Sequence, residues 1–284
     1  MSEAGRDGRA VLVTGASTGI GEAVARSLAS RGNPVYAGVR KEADGEKLTG
    51  PNLTPVMLDI TDEAQVAAVA ERITAEVGDA GLAGVVNNAG IALGGPLEYL
   101  ALDEWRNQLE VNVIGQVSVT RSVVPLLRAA EGRIVFVGSI SGRVGTTLMG
   151  PYCSSKFAIE GLAESLRHDL AEWGIEVAVV EPGAVRTAIW EKGRVTTDRL
   201  EQELPAEAFE RYAKGMKNIR DGIEKSDKGG VSAEKVAKAV THALFARRPR
   251  HRYLVGPDAK VAGTLSRLLP DKAKHAVMAK LAGP

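Results

Sequence analysis

The chain has one cysteine, Cys153, among 284 residues. No intrachain disulfide can form, and a reducing compartment is expected. Aromatic residues make up only 4% of the chain, too few for base-stacking platforms. Neither sign of charge dominates, since 36 Lys and Arg stand against 35 Asp and Glu. No bulk field therefore selects nucleic acid or an anionic membrane. The opening "MSEAGRDGRA" lacks an apolar signal core, and nowhere do 18 apolar residues follow one another. A secretory signal and a transmembrane helix are thus not expected. What remains is a cytoplasmic protein with neither nucleic acid nor a membrane span among its partners.

What the chain does have is alternation. Apolar β-rich runs lie at 10–15, 34–39, 53–60, 83–90, 133–139, 175–183 and 252–256. Several lack polar alternation, as parallel strands covered on both faces do. Helical patterns fall between them near 19–31, 62–77, 102–130, 152–173 and 232–246. Repeated βα units predict an α/β fold, a doubly wound parallel sheet with helices on both faces. The expectation is one domain over residues 1–284. Two stretches break the rhythm. Residues 186–230 are charged and glycine-containing, yet carry Ile189, Trp190, Leu200, Leu204, Phe209, Tyr212 and Met216; long insertions of this kind form lids, binding loops or disordered segments, and the scattered large apolar residues favour a lid. The tail at 257–284 interleaves apolar and basic residues and could dock on the core, join subunits or touch a membrane surface. "RRPRHR" (247–252) reads as a solvated connector.

The first strand runs into "TGASTGIG", with Gly15, Gly19 and Gly21 at the mouth of a helix. Glycines there let the backbone turn sharply and approach a pyrophosphate, whose charge meets the N–H groups of the helix start. The second strand ends without an acid at 36–41, and Arg40 stands where NAD sites place a carboxylate. A guanidinium can pair with an adenosine 2′-phosphate, so NADP(H) is preferred over NAD(H), which stays possible.

Three more motifs converge: "NNAG" (87–90), "VGSIS" with Ser139 at a strand end, and "YCSSK" with Tyr152 and Lys156 four apart. With "TGASTGIG" they resemble the short-chain dehydrogenase/reductase family in its Tyr-x-x-x-Lys form. The resemblance covers about residues 9–187 and, more loosely, the remainder. Within the family it is closest to the branch of 17-beta-hydroxysteroid, retinol and 3-hydroxybutyrate dehydrogenases. It implies a Rossmann-like sheet of about seven parallel strands, a nicotinamide cofactor and a homodimer or homotetramer. It assigns Tyr152 as general acid/base, Lys156 as its electrostatic partner and ribose ligand, Ser139 as donor to the substrate oxygen, and Asn112 as the fourth member, acting through water and Lys156. It places Gly15, Ser17, Thr18, Gly19, Ile20 and Gly21 in the cofactor turn and Asp59 and Ile60 at the adenine. Asn88, Ala89 and Gly90 form the adenosine-side wall. Pro182, Gly183, Val185 and Thr187 hold the nicotinamide carboxamide. No metal is called for.

Elementary electrostatics supports the pair. Lowering a phenol from its usual pKa near 10 to neutrality takes about 3 units, roughly 4 kcal/mol. A cation about 4 Å away at an effective dielectric of 20 supplies about that much. Helical i,i+4 spacing puts Tyr152 and Lys156 on one face. Cys153 between them reads as structural, since no His in the motif activates it. The candidate substrate wall is Leu93, Ser141, Met149 and Trp190, with Gly94, Leu148 and Val185 beside them and Phe209 and Tyr212 from the lid. So apolar a wall suits a bulky hydrophobic alcohol or ketone; the same residues could instead merely close the lid on the core. Two alternatives stand beside an NADP(H)-dependent alcohol/ketone oxidoreductase: a 3-oxoacyl thioester reductase and a non-catalytic NADP(H)-sensing regulator.

Overall fold

The computed structural model describes residues 8–187, 198 and 202–281. Seven strands, β1 (Ala10–Val13), β2 (Val35–Val39), β3 (Leu53–Met57), β4 (Leu82–Asn87), β5 (Arg133–Val137), β6 (Glu176–Pro182) and β7 (Arg252–Val255), form one sheet in the order β3-β2-β1-β4-β5-β6-β7. Every neighbouring pair is parallel. The uniformly apolar β1 divides its residues between two cores: Val11 and Val13 join one, Leu12 the other. On the first face, α1 (Gly19–Ser30) and α8 (Ala233–Phe245) contribute Leu28, Val236 and Leu244. On the second, α3 (Glu63–Val77), α5 (Gly115–Ala130) and α6 (Gly150–Asp169) contribute Ile73, Val123 and Ile159. A doubly wound, Rossmann-like sheet results, and its strand order reverses between β1 and β4. In such sheets a crevice opens at the carboxyl ends of the strands at that switch point.

Three local features depart from the sequence expectations. The single helix expected over 102–130 is broken into α4 (Leu102–Leu109), a π-helical turn at Glu110–Ile114, and α5. In that turn the Gly115 N–H reaches Glu110 O, and Asn112 is fully buried. The insertion at 186–230 contains a helix of 24 residues, α7 (Ala206–Gly229). Leu204, Ala208, Tyr212 and Met216 recur every four residues and pack with Leu93, Leu100 and Leu148 in a separate small core. Ile189, Trp190 and Leu200 lie outside the described residues. Finally, Arg252 is not part of a solvated connector; it opens β7 and pairs with Glu160 on α6 at 2.9 Å.

Of the three fates open to the tail, its first helix, α9 (Pro257–Leu268), takes docking. Ala259 is fully buried, Gly263 closes on Leu254, and Asp258 accepts a hydrogen bond from the Ala184 N–H at 2.7 Å. A second helix, α10 (Asp271–Leu281), follows. Among the described residues no helix is long and apolar enough to cross a membrane.

Candidate active site

The turn after β1 is built from conformations and contacts that exclude side chains. Gly15 and Gly19 have φ of 63° and 65°, the left-handed region that glycine enters without a Cβ penalty. A Cβ on Gly21 would overlap both the carbonyl of Gly15 and the amide nitrogen of Asn88. Asn88 locks this turn: its Nδ2 donates to the carbonyls of Thr14 and Gly15, each at 3.0 Å. Thr14 Oγ1 in turn accepts from the Asn88 and Ala89 N–H groups at 3.0 Å. "TGASTGIG" and "NNAG" are thus one structure, joined by Thr14, a residue that sequence reasoning did not single out. Thr18 is the N-cap of α1 and caps no N–H with its side chain, so the first turn keeps donors for an anion.

The opposite wall comes from the loop after β6. A Cβ on Gly19 would stand 3.1 Å from that of Thr187, which brings the glycine turn and "PGAVRT" together. The loop is held from below, with the Gly183 N–H on Val255 O at 3.0 Å and the Ala184 N–H on Asp258. Val185 turns its side chain into the core, so it offers a ligand its backbone rather than its isopropyl group. Arg40 is exposed directly after β2. Asp59 spends its carboxylate on Thr61, and Ile60 packs under Gly115, where no side chain would fit. A Cβ on Gly90 would lie 3.2 Å from Asn112 Oδ1. Close backbone approach, free N–H groups and an exposed guanidinium form a cradle that fits a phosphorylated dinucleotide.

Ser139 follows β5 and caps a short turn, Ile140–Gly142, its Oγ accepting from the Ser141 N–H at 3.1 Å. A Cβ on Gly142 would come within 2.9 Å of Lys156 O, so the absence of a side chain lets α6 close onto this turn. Pro151 in the first turn of α6 suits its fixed φ. The Ser139 hydroxyl lies close enough to the half-buried Tyr152 phenol to lower its pKa. Lys156, 5% exposed, donates to Val137 O at 2.9 Å, with its Nζ 5.7 Å from the Tyr152 ring centroid.

The electrostatics here run against the sequence expectation. Burial pushes the Tyr152 phenol above its ordinary value, with the Ser139 hydroxyl opposing the rise. Burial also lowers Lys156 to about 8, with Glu160 opposing the fall. The reason is desolvation, which disfavours phenolate and ammonium alike; the chain's own groups leave Tyr152 as a protonated donor.

Asn112 has side-chain partners that the sequence did not indicate. Its side chain is spent on the Ile91 N–H at 2.8 Å, Ile91 O at 2.9 Å and Ser155 Oγ at 3.0 Å. Ser155 donates onward to Tyr152 O at 2.7 Å, so the Asn112 side chain supports the start of α6 through Ser155. Gln108 and Gln116 flank it at intervals of four and are equally buried. They hold the Leu93 N–H, Ile91 O and Ala89 O. This amide ladder fixes segment 89–93, and sequence reasoning missed it although "NQLEVNVIGQ" carries the spacing.

Among the candidate substrate residues, Leu93 is buried in the lid core, Ser141 is half-buried within the turn that Ser139 caps, and Met149 is half-buried at the N-cap of α6 with its sulfur against Gly94. Trp190 lies outside the described residues. Cys153 is buried, 3.6 Å from Thr146 Oγ1.

A phosphate cradle at the switch point of a parallel sheet, beside a Ser–Tyr–Lys cluster, defines a nicotinamide-dependent oxidoreductase. The family description "short chain dehydrogenase" matches residues 9–198, and the chain belongs to that family. Human retinol dehydrogenase 16 is 37% identical over 278 residues, covering 94% of this chain and 87% of the relative. Bovine 17-beta-hydroxysteroid dehydrogenase type 6 is 38% identical over 258 residues, covering 88% and 81%. The NADPH-dependent 3-dehydrocapnine reductase of Ornithobacterium rhinotracheale is 34% identical over 272 residues, covering 93% and 94%. Among solved structures, a short chain dehydrogenase from Burkholderia cenocepacia in complex with NADP superposes with a TM-score of 0.75, at 26% identity and full coverage of both chains. One from Burkholderia phymatum in complex with NAD gives 0.77, at 26% identity, covering 94% and 96%.

Proposed function

We propose that the chain interconverts a hydrophobic secondary alcohol and its ketone, or a primary alcohol and its aldehyde, using NADP(H). The observation that carries this reading is Tyr152 with Ser139 at hand and Lys156 one helical turn on, its Nζ 5.7 Å from the phenol ring, beside the glycine cradle. When bound, the dinucleotide supplies or accepts the hydride. Tyr152 gives its proton to the carbonyl oxygen, or takes it back from the alcohol. Ser139 donates where negative charge develops on that oxygen. Lys156 carries the positive charge that makes proton release from Tyr152 less costly and binds the nicotinamide ribose. Asn112 and Ser155 hold the geometry of α6.

Arg40 supports the phosphorylated cofactor, as do the NADPH-dependent relative and the NADP-bound neighbour. Arg40→Asp is expected to raise the NADPH Kd about 10- to 100-fold, the worth of a charge-assisted pair, and to change the NADH Kd far less. Fluorescence titration of both cofactors measures this, and equal losses would refute the assignment. The retinol and hydroxysteroid relatives, with Met149 at the N-cap of the helix that carries Tyr152, support a bulky apolar substrate. A panel of steroid, retinoid and aliphatic ketones, read as NADPH consumption, tests it: turnover confined to small acidic substrates, or none with any carbonyl despite tight NADPH binding, overturns the reading.

Leu109, Ile114, Val117 and Phe157 are exposed apolar residues on the neighbouring α4, π turn, α5 and α6; they support pairing through this face in a homo-oligomer. A cytoplasmic setting fits the lone buried cysteine.

A further inference from the structure

We propose that Glu160 is a positioning residue that keeps Lys156 cationic, held in place by an ion-pair chain arriving from β6 and β7; this rests on the reading of Lys156 as the partner of Tyr152. Glu160 lies one turn beyond Lys156 on α6, so the two share a face. It is 8% exposed. One carboxylate oxygen, Oε2, accepts from Arg252 Nε at 2.9 Å. The other, Oε1, is buried and has no hydrogen-bond partner. That oxygen borders the strand end that holds the lysine: a Cβ on Gly138 would lie 3.6 Å from it. Gly138 sits between Val137, whose carbonyl receives Lys156, and Ser139.

The groups around Glu160 come from every neighbouring element. Arg252 on β7 also faces Glu181 and Glu164, each at 3.7 Å. Glu181 on β6 is fully buried and accepts from Arg143 Nη2 at 2.8 Å. Arg167, on the same helix, lies within the field of Glu160. Stapling α6 to β6 and β7 accounts for Arg252 and Arg143. It does not account for a desolvated oxygen left unpaired behind the lysine, an arrangement that costs stability unless a nearby charge uses it. Without Glu160 the burial of Lys156 would stand unopposed and ease the loss of its proton.

The sign of the effect can be tested. In the wild type, NADPH binding should weaken as Lys156 loses its proton above about pH 8. Glu160→Gln should move that midpoint acidward by about one pH unit, and Arg252→Met, which frees Glu160 from its anchor but leaves its charge, should move it the same way by less. NADPH Kd is followed by fluorescence across roughly pH 6.5 to 10, around the lysine titration. Thermal unfolding is measured alongside. An acidward displacement in Glu160→Gln, with a smaller one of the same sign in Arg252→Met, supports the proposal. Unchanged midpoints, or an alkaline displacement in either variant, overturn it, because a purely structural staple would lower stability in both variants without moving the titration. Should Glu160→Gln fail to fold, Glu160→Asp, which draws the carboxylate back by one methylene, decides alone: an acidward displacement supports the proposal and an unmoved midpoint overturns it. Lys156→Met separates the two readings. If a wild-type midpoint survives that substitution, the assignment of Lys156 falls, and this inference with it. If the midpoint vanishes in Lys156→Met but is unmoved in the other variants, only this inference falls.

Discussion

Tyr152→Phe should lower kcat by roughly 10²–10⁴-fold, the usual contribution of a positioned acid/base, while NADPH binds nearly as in the wild type. The phenol oxygen is the only atom lost, and the ring that packs beside Lys156 stays. Burial already holds this hydroxyl protonated, so what the variant removes is a donor aimed at the substrate oxygen rather than a charge the fold relies on. NADPH titration and steady-state turnover on the same preparation separate binding from chemistry. Retained turnover would sink the mechanism; lost binding with lost turnover would mean that the ring, not the proton, had been the contribution.

Gly21→Val should reduce NADPH affinity by about 10²-fold or more, since displacing a positioning backbone by about 1 Å is enough for such a loss. A side chain there meets Gly15 O and Asn88 Nδ2, the two groups that shape the turn. Relief must come from the backbone, and overpacking of this kind costs about 1–3 kcal/mol of stability. Gly161→Ala is the control, because a Cβ on Gly161 meets nothing within 4 Å. Unchanged NADPH affinity in a folded Gly21→Val variant would show that the turn is a steric device only, without a phosphate to receive.

Much of the fold could be read from local pattern. Strands buried on both faces have no choice but apolar runs, and helices between them must show a stripe, so β1 to β7 and α1, α3, α6 and α8 fall near where periodicity puts them. The helix α7 was obscured because its packed residues recur only at every fourth position, Leu204, Ala208, Tyr212 and Met216, and the charged residues between them dominate the composition. The break at Glu110–Ile114 left no mark in the pattern, since a π turn costs one residue of register and no change of residue type.

The site divides along the same line. Gly15, Gly19, Gly21, Ser139, Tyr152 and Lys156 were legible because backbone conformation and reactive groups restrict residue type wherever they occur. Thr14, Gln108, Gln116 and Ser155 were not, because each is an ordinary polar residue whose meaning is a partner distant in the chain. The sequence by itself determined the alternating sheet, the side-chain-free turn and the spacing of tyrosine and lysine, all of which follow from short-range sterics. The tertiary structure alone decided that Asn112 supports α6 through Ser155, that Arg252 reaches Glu160, and that Tyr152 is raised rather than lowered. Those outcomes depend on desolvation and on through-space charge, and neither quantity exists until the chain is folded.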